Sequence, residues 1–348
     1  MGKENNLRKL SQSSAFPFQS IEEVVVTLDL TGELSMSGDE RLRKNGISEK
    51  YENEMLAPEI RKRLSQEIAE INDLALSTAV YDLDQGTSQA GGHALPVLED
   101  MVVDSGAYIN LGTEVVGLHQ ELMPSGKLEW IVRSHNEIRG TEHLAFQKVI
   151  LAAPWHPATL EVHAELEQQP QELEYRQRHF TFFTSQLALS SDLFGSEDKL
   201  PNQILPTMIA ESDKLHGIHE IAFVRELTRV IDGKAITDHL YRILSVHEIE
   251  DEFLSSLFNN DQDNPSWVYK GSVSILESLN KLVVNSCLQV RHAYPLLYPR
   301  TLFPPMALSD SLWHAGALEA VASSLDMSLF AGANVGALAF AQIRKEQA

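Results

Sequence analysis

Residues 311–340, SLWHAGALEAVASSLDMSLFAGANVGALAF, decide how the rest of the chain is read. In the second half, Met327, Phe330, Ala331, Val335, Leu338 and Ala339 recur at three-and-four spacing, so one helical face is apolar and a buried helix is expected. Ser323 and Ser324 stand where that helix begins. Their hydroxyls can accept from backbone N–H groups that lack a helical partner, and the positive end of a helix is a seat for anionic or electron-rich ligand groups. Gly332 and Gly336, one turn apart, predict the close approach of another backbone. Taken alone, the pattern is that of a C-terminal core helix.

The whole chain sets the outer bounds. Its 348 residues accommodate one large or two ordinary domains with a sizeable core, and 43% hydrophobic with 22% charged residues is the composition of a soluble globular protein. A net charge of -21 speaks against a nucleic-acid binder, because a phosphate backbone would be repelled. Cys287 is the single cysteine, which excludes an intrachain disulfide and a cysteine-rich zinc site. The opening MGKENNLRKLSQSSAF lacks the apolar core of a secretory signal, and no Asn-x-Ser/Thr sequon occurs. Glu319, Asp326 and Asn334 interrupt the longest apolar candidate, so no transmembrane helix is predicted.

Along the chain, residues 1–15 are polar and expected to be disordered. Residues 16–85 form a helical part, opened by Ser20 and Glu23 at capping-box spacing and continued by helix starts near Ser48 and Pro58. After the turn-rich GTSQAGG of residues 86–92, residues 93–102 predict a helix and 108–118 a half-buried strand. A hairpin over Pro124 to Lys127 returns as a second strand. Residues 148–154, KVILAAP, predict a buried strand that stops at a proline, with its end at the edge of the core where a ligand can reach backbone. Residues 156–270 contain strand candidates at 180–189, 221–228 and 237–245 and an amphipathic helix at 249–258. The loop NNDQDNP that follows is not a calcium loop, since Pro265 stands where the glycine belongs.

The run Ala317-Leu318-Glu319, Ser323-Ser324 and Asn334-Val335 resembles the flavin-contacting C-terminal segment of the prenylcysteine oxidase (prenylcysteine lyase) family. Residues 291–300, RHAYPLLYPR, are similar to that family's approach to the segment. The aromatic-proline-aromatic entry Phe16-Pro17-Phe18 and the run Trp267-Val268-Tyr269-Lys270 are similar too. The resemblance implies an α/β fold: an incomplete two-dinucleotide-fold flavoprotein with a helical and mixed-sheet substrate domain. It divides the chain into a helical substrate-side part at 16–85, a remnant of the FAD-binding domain at 86–155, a substrate domain at 156–270 and a C-terminal FAD-contacting segment at 291–348. Residues 271–290 have no counterpart in the family and are expected to form an insertion that loops out or distorts the core elements beside it.

For the site, the resemblance implies FAD as cofactor. Val115 would lie against the adenine, Ala152, Ala153 and Pro154 near the flavin, and Glu319, Ser323 and Ser324 at the C-terminal contact. Gly91-Gly92-His93 resembles a Gly-Gly-Asn turn that flavin oxidases place beside the cofactor, with His93 departing from the pattern. The implied chemistry is thioether oxidation of prenylcysteine: hydride leaves the prenyl carbon next to sulfur, water adds, and cysteine, a prenyl aldehyde and hydrogen peroxide result. The family also implies a lysosomal or vacuolar setting in prenylated protein catabolism, whereas the chain as given, without a signal, would be cytoplasmic.

No Gly-x-Gly-x-x-Gly turn, which a dinucleotide fold needs so that backbone can meet the pyrophosphate, occurs anywhere in the chain. The sequence thus reads as a family member lacking its first βαβ unit. Two alternatives stay open: a catalytically inactive relative acting through protein contacts, and another FAD-dependent oxidase of the amine or porphyrinogen type. His216-Gly217-Ile218-His219-Glu220 fits no zinc motif and is expected to be a solvated loop. His292 and His314 lie near the proposed site segments as core or rim histidines, and Cys287 falls in the insertion.

Overall fold

The computed structural model describes residues 16–84, 95–155, 160–194, 200–206, 217–231, 234–258 and 288–347. The expected N-terminal disorder, the turn at 86–92 with His93, His216, the run 259–270 and residues 271–287 with Cys287 lie outside the described residues. The fold is mixed α/β.

In chain order come α1 (Ile21–Thr27), α2 (Thr31–Ser35), α3 (Gly38–Lys44), α4 (Glu49–Tyr51), α5 (Ala57–Leu64), α6 (Asp73–Asp84) and α7 (Leu95–Ser105). Strands follow: β1 (Thr113–Leu122), β2 (Leu128–Asn136), β3 (Gly140–Phe146), β4 (Val149–Leu151), β5 (Glu161–His163), β6 (Tyr175–Ser185), β7 (Gln203–Ile204), β8 (Ile218–Ile231) and β9 (Lys234–Ser245). After α8 (Asp251–Ser256) come β10 (Leu288–Pro295), β11 (Ala307–Ser309), β12 (Leu312–His314), a 3-10 helix at Ala315–Ala320 and the long α9 (Leu325–Gln347). The chain divides into two interleaved units. One comprises residues 1–38, 72–174 and 297–348, the other 39–71 and 175–296.

The first unit contains two small sheets. In one, β1, β2 and β3 form an antiparallel meander with β5 added parallel to β1. In the other, β11 pairs antiparallel with β12, and β12 pairs parallel with β4. Leu118 and Trp130 of the first sheet pack with Leu308 and Leu312 of the second, and the Trp130 indole N–H donates to Ser311 Oγ at 2.9 Å. Ser20 caps α1 by accepting from the Glu23 amide, as its spacing predicts. The Glu23 carboxylate accepts from the Gln19 amide, one residue earlier than a standard capping box.

α9 buries Met327, Ala331, Asn334, Val335, Leu338 and Ala339. Asn334 is fully buried and its side chain accepts from the Phe18 amide at 2.9 Å and donates to the Phe18 carbonyl at 3.0 Å. Phe330 rests against both Phe16 and Phe18. The aromatic entry at Phe16 is therefore the partner of the C-terminal helix.

Three expectations are corrected in this unit. A Cβ on Gly332 or Gly336 would meet nothing within 4 Å, because both lie on the open side of α9; no backbone approaches there. The strand at residues 148–154 is only Val149–Leu151, with Ile150 42% exposed and Ala152, Ala153 and Pro154 exposed, because β4 is an edge strand. The strand at 108–118 begins at Thr113: Gly112 turns the chain with φ +64°, leaving Tyr108 and Leu111 exposed.

The second unit is built on the antiparallel sheet β10-β6-β9-β8-β7. Phe183, Ile221, Tyr241 and Ile243 pack against Leu254 of α8 and against Leu257 and Phe258 beyond it, with Phe183 stacked on Tyr241 at 5.3 Å. Two more expectations give way here. Leu288–Val290, the end of the expected insertion, pair with Thr181–His179 of β6 rather than looping out, since the antiparallel ladder toward Pro295 extends through them. His219 and Glu220 are buried strand residues, not a solvated loop. Glu220 is satisfied by Arg242 at 2.5 Å and by Gln203.

Replacing Asn334 by Ala leaves two buried backbone groups of Phe18 unpaired, and a loss of about 2–4 kcal/mol is expected from urea unfolding. Gly336→Ala, on the open side of the same helix, is expected to gain about 0.5–1 kcal/mol. A loss there would reinstate a close backbone contact.

Candidate functional site

The site is set by strand direction. Because β4 and β12 are parallel, with Leu151 opposite His314, the two chains leave the sheet at the same end. One continues as Ala152-Ala153-Pro154; the other enters the 3-10 helix at Ala315–Ala320 and then the start of α9. Carboxyl ends of parallel strands, where backbone is not yet covered, are where α/β folds receive ligands. The alanines and the proline leave the backbone of residues 152–154 exposed.

Small residues bring the other chain close. Ala315, Gly316, Ala317 and Ala320 are all buried. At Gly316 a Cβ would stand 2.9 Å from His314 Nε2 and 3.4 Å from the Ala153 carbonyl oxygen, so glycine is needed where the segment passes the end of β4. His314 is 1% exposed, and neither ring nitrogen meets a partner in good hydrogen-bond geometry. Burial lowers its pKa to about 4, although the Ala153 carbonyl pulls in the opposite sense. The ring is therefore neutral at physiological pH.

Ser324 caps α9, its hydroxyl accepting from the Met327 amide at 3.3 Å. Ser323, Ser324 and Glu319 are half-buried. Asp326 already places a negative charge in the first turn, so the helix start suits a neutral carbonyl oxygen better than a phosphate. The segment leading to it is held by Asn72, fully buried, whose side chain donates to the carbonyls of Leu297 and Val321 and accepts from the Ala75 amide.

The six candidates Ala152, Ala153, Pro154, Glu319, Ser323 and Ser324 thus lie on the two chains leaving one sheet end. Val115 is on the other sheet of the unit, opposite Ser134 and 42% exposed. Asn72 and Gly316 escaped the sequence reading, one a buried amide with distant partners and the other a glycine outside any motif; Asn334, part of the quoted run, spends its side-chain amide on Phe18. Among the described residues no group of His, Cys, Asp and Glu could hold a metal ion, and no helix is long and apolar enough to cross a membrane.

A family model described as Prenylcysteine lyase matches residues 6–348. Prenylcysteine oxidase 1 of Bos taurus is 25% identical over 341 residues, an alignment covering 94% of this chain and 62% of the relative. The chain spans less than two thirds of that relative's length.

The buried histidine has a pH signature. Unfolded, His314 binds its proton near pH 6.5, but in the fold only near pH 4, so stability is lost as pH falls from about 6.5 to 4. The slope is up to about 1.4 kcal/mol per pH unit. Urea unfolding at pH 7.0 and pH 4.5 should show a smaller loss in His314→Leu than in the parent; equal losses would mean that the native ring titrates normally.

Proposed function

The chain belongs to the prenylcysteine lyase family, and from that premise we propose that it is a flavoprotein that oxidatively cleaves the thioether of prenylcysteine, with FAD at the common end of β4 and β12. The observation that carries this reading is the parallel pairing of Leu151 with His314, which starts the Ala152-Ala153-Pro154 turn and the segment toward Ser324 from one sheet end. The fit favours the ring end of the cofactor. Exposed backbone at 152–154 and the helix start at Ser324 suit a flat group that needs close approach and carbonyl recognition, and Gly316 lets the two chains pack together behind them. The orphaned nitrogens of His314 lie beside the same turn.

FAD, when bound, would supply the hydride acceptor. The residues of the chain would orient it. Ala152, Ala153 and Pro154 would offer backbone along one edge, Ser323 and Ser324 the helix start, and Glu319 a further contact at the C-terminal side. Val115 would serve the adenine end. His314, neutral down to the acid range, moves no proton and acts by filling space behind the turn. The products would be cysteine, a prenyl aldehyde and hydrogen peroxide, with a lysosomal or vacuolar setting.

A second reading is a family member without turnover that acts through protein contacts. Titration of the recombinant chain with FAD, followed by gel filtration, separates the two. The proposal expects a retained flavin absorbance band, peroxide release on adding S-farnesylcysteine, and at least tenfold weaker FAD binding in Ala153→Trp at unchanged circular dichroism. Folded, colourless protein with no affinity for FAD overturns it.

A further inference from the structure

The second unit contains a cavity of about 440 Å³ that plays no part in the flavin site. That volume lies within the range of small-molecule pockets. Its walls combine apolar side chains, Leu189 beyond β6 and Ile221 and Phe223 on β8, with the polar Ser191 and Asn202 and with Tyr241 on β9. The rings of Phe223, His239 and Tyr241 touch pairwise, with centroids 5.9, 5.9 and 6.3 Å apart, and make one continuous wall rather than an enclosing cage.

One carboxylate also lines this cavity, and the strand geometry explains why. Phe223 pairs with Tyr241 and Glu226 with His239, so three steps along β8 match two along β9. In a regular strand, residues three apart face opposite sides of the sheet. The bulge between Phe223 and Arg225 absorbs the odd residue and turns Glu226 to the side of Phe223. Its carboxylate makes no ion pair or side-chain hydrogen bond with any described residue. A bulge that aims a carboxylate without a partner among the described residues at a cavity with an apolar wall equips it for a cation that carries an apolar body.

We infer that this cavity binds a molecule with an apolar chain and a protonated amine, the chain against Leu189, Ile221 and Phe223 and the ammonium at Glu226. S-farnesylcysteine belongs to that class, and in that clause alone the inference rests on the proposed function.

Isothermal titration of the full chain at pH 7 with octylamine, octanol and octanoate tests it. Octylamine should bind at least tenfold more tightly than either of the others. Glu226→Gln should reduce that preference below threefold while leaving octanol affinity unchanged, and Ala188→Trp should weaken all three at least tenfold with the far-ultraviolet circular dichroism intact. Should Ala188→Trp not fold, Pro201→Trp, at another lining residue, fills the cavity instead. Equal affinity for octylamine and octanoate, a preference that survives Glu226→Gln, or no binding of any probe overturns the inference. No flavin enters the measurement, so a failure here leaves the flavin proposal standing, and colourless protein leaves this site standing.

Discussion

The three-residue parallel ladder between β4 and β12 is the constraint on which the first unit turns. It joins segments more than a hundred residues apart, and a parallel pairing fixes both register and direction. The Val149 amide donates to the Ser311 carbonyl at 2.9 Å and Trp130 holds the Ser311 hydroxyl, so the turn before β12 is gripped from both sheets. Slipping the ladder by one residue would turn Leu312 out of the core it shares with Leu118 and Trp130. It would also carry Gly316 away from the Ala153 carbonyl. The sheet end is thus specified by the apolar core behind it.

So short a ladder needs tethers, and the unit uses buried amides for them. Asn72 holds the chain at Leu297 and at Val321, just before α9, and Asn334 holds Phe18 from the middle of that helix. At the far end of α9, Lys148 meets Glu346 at 2.5 Å and the Asp310 carbonyl at 3.2 Å, next to the two strands themselves. Each buried amide satisfies backbone groups that no sheet or helix reaches. A hydrophobic residue of similar size would leave the Ala75 amide, or both Phe18 groups, unpaired in a dry interior.

These tethers also mark where the sequence stops being legible. The apolar spacing from Met327 to Ala339 and the serine before it describe α9 and its cap, because both are local and repeat with the helix. Runs of β-branched and aromatic residues likewise locate β6, β8 and β9. Periodicity says nothing about the opposite face, however, and Gly332 and Gly336 read as a packing seam while facing open space. Asn334 interrupts an apolar helix for the sake of Phe18, a partner with no local trace. Glu220 looked solvated for the same reason, since Arg242 and Gln203 come from neighbouring strands. Charge composition could not anticipate a buried carboxylate paired across a sheet.

The residues at the sheet end are mostly alanine, glycine, proline and serine, and the histidine nearest them is held neutral by burial. Such a set has little capacity for acid–base work and much capacity for close approach. It suits chemistry in which an organic cofactor supplies the reactive atoms and the protein supplies shape, because small side chains leave backbone at the sheet end uncovered. The same economy makes Gly316 consequential. A single added carbon at that position displaces either the His314 ring or the segment itself, and the segment runs through Val321 directly into the cap of α9. Geometry at the sheet end and geometry at the helix start are therefore one property of the chain, set by the room left at one glycine.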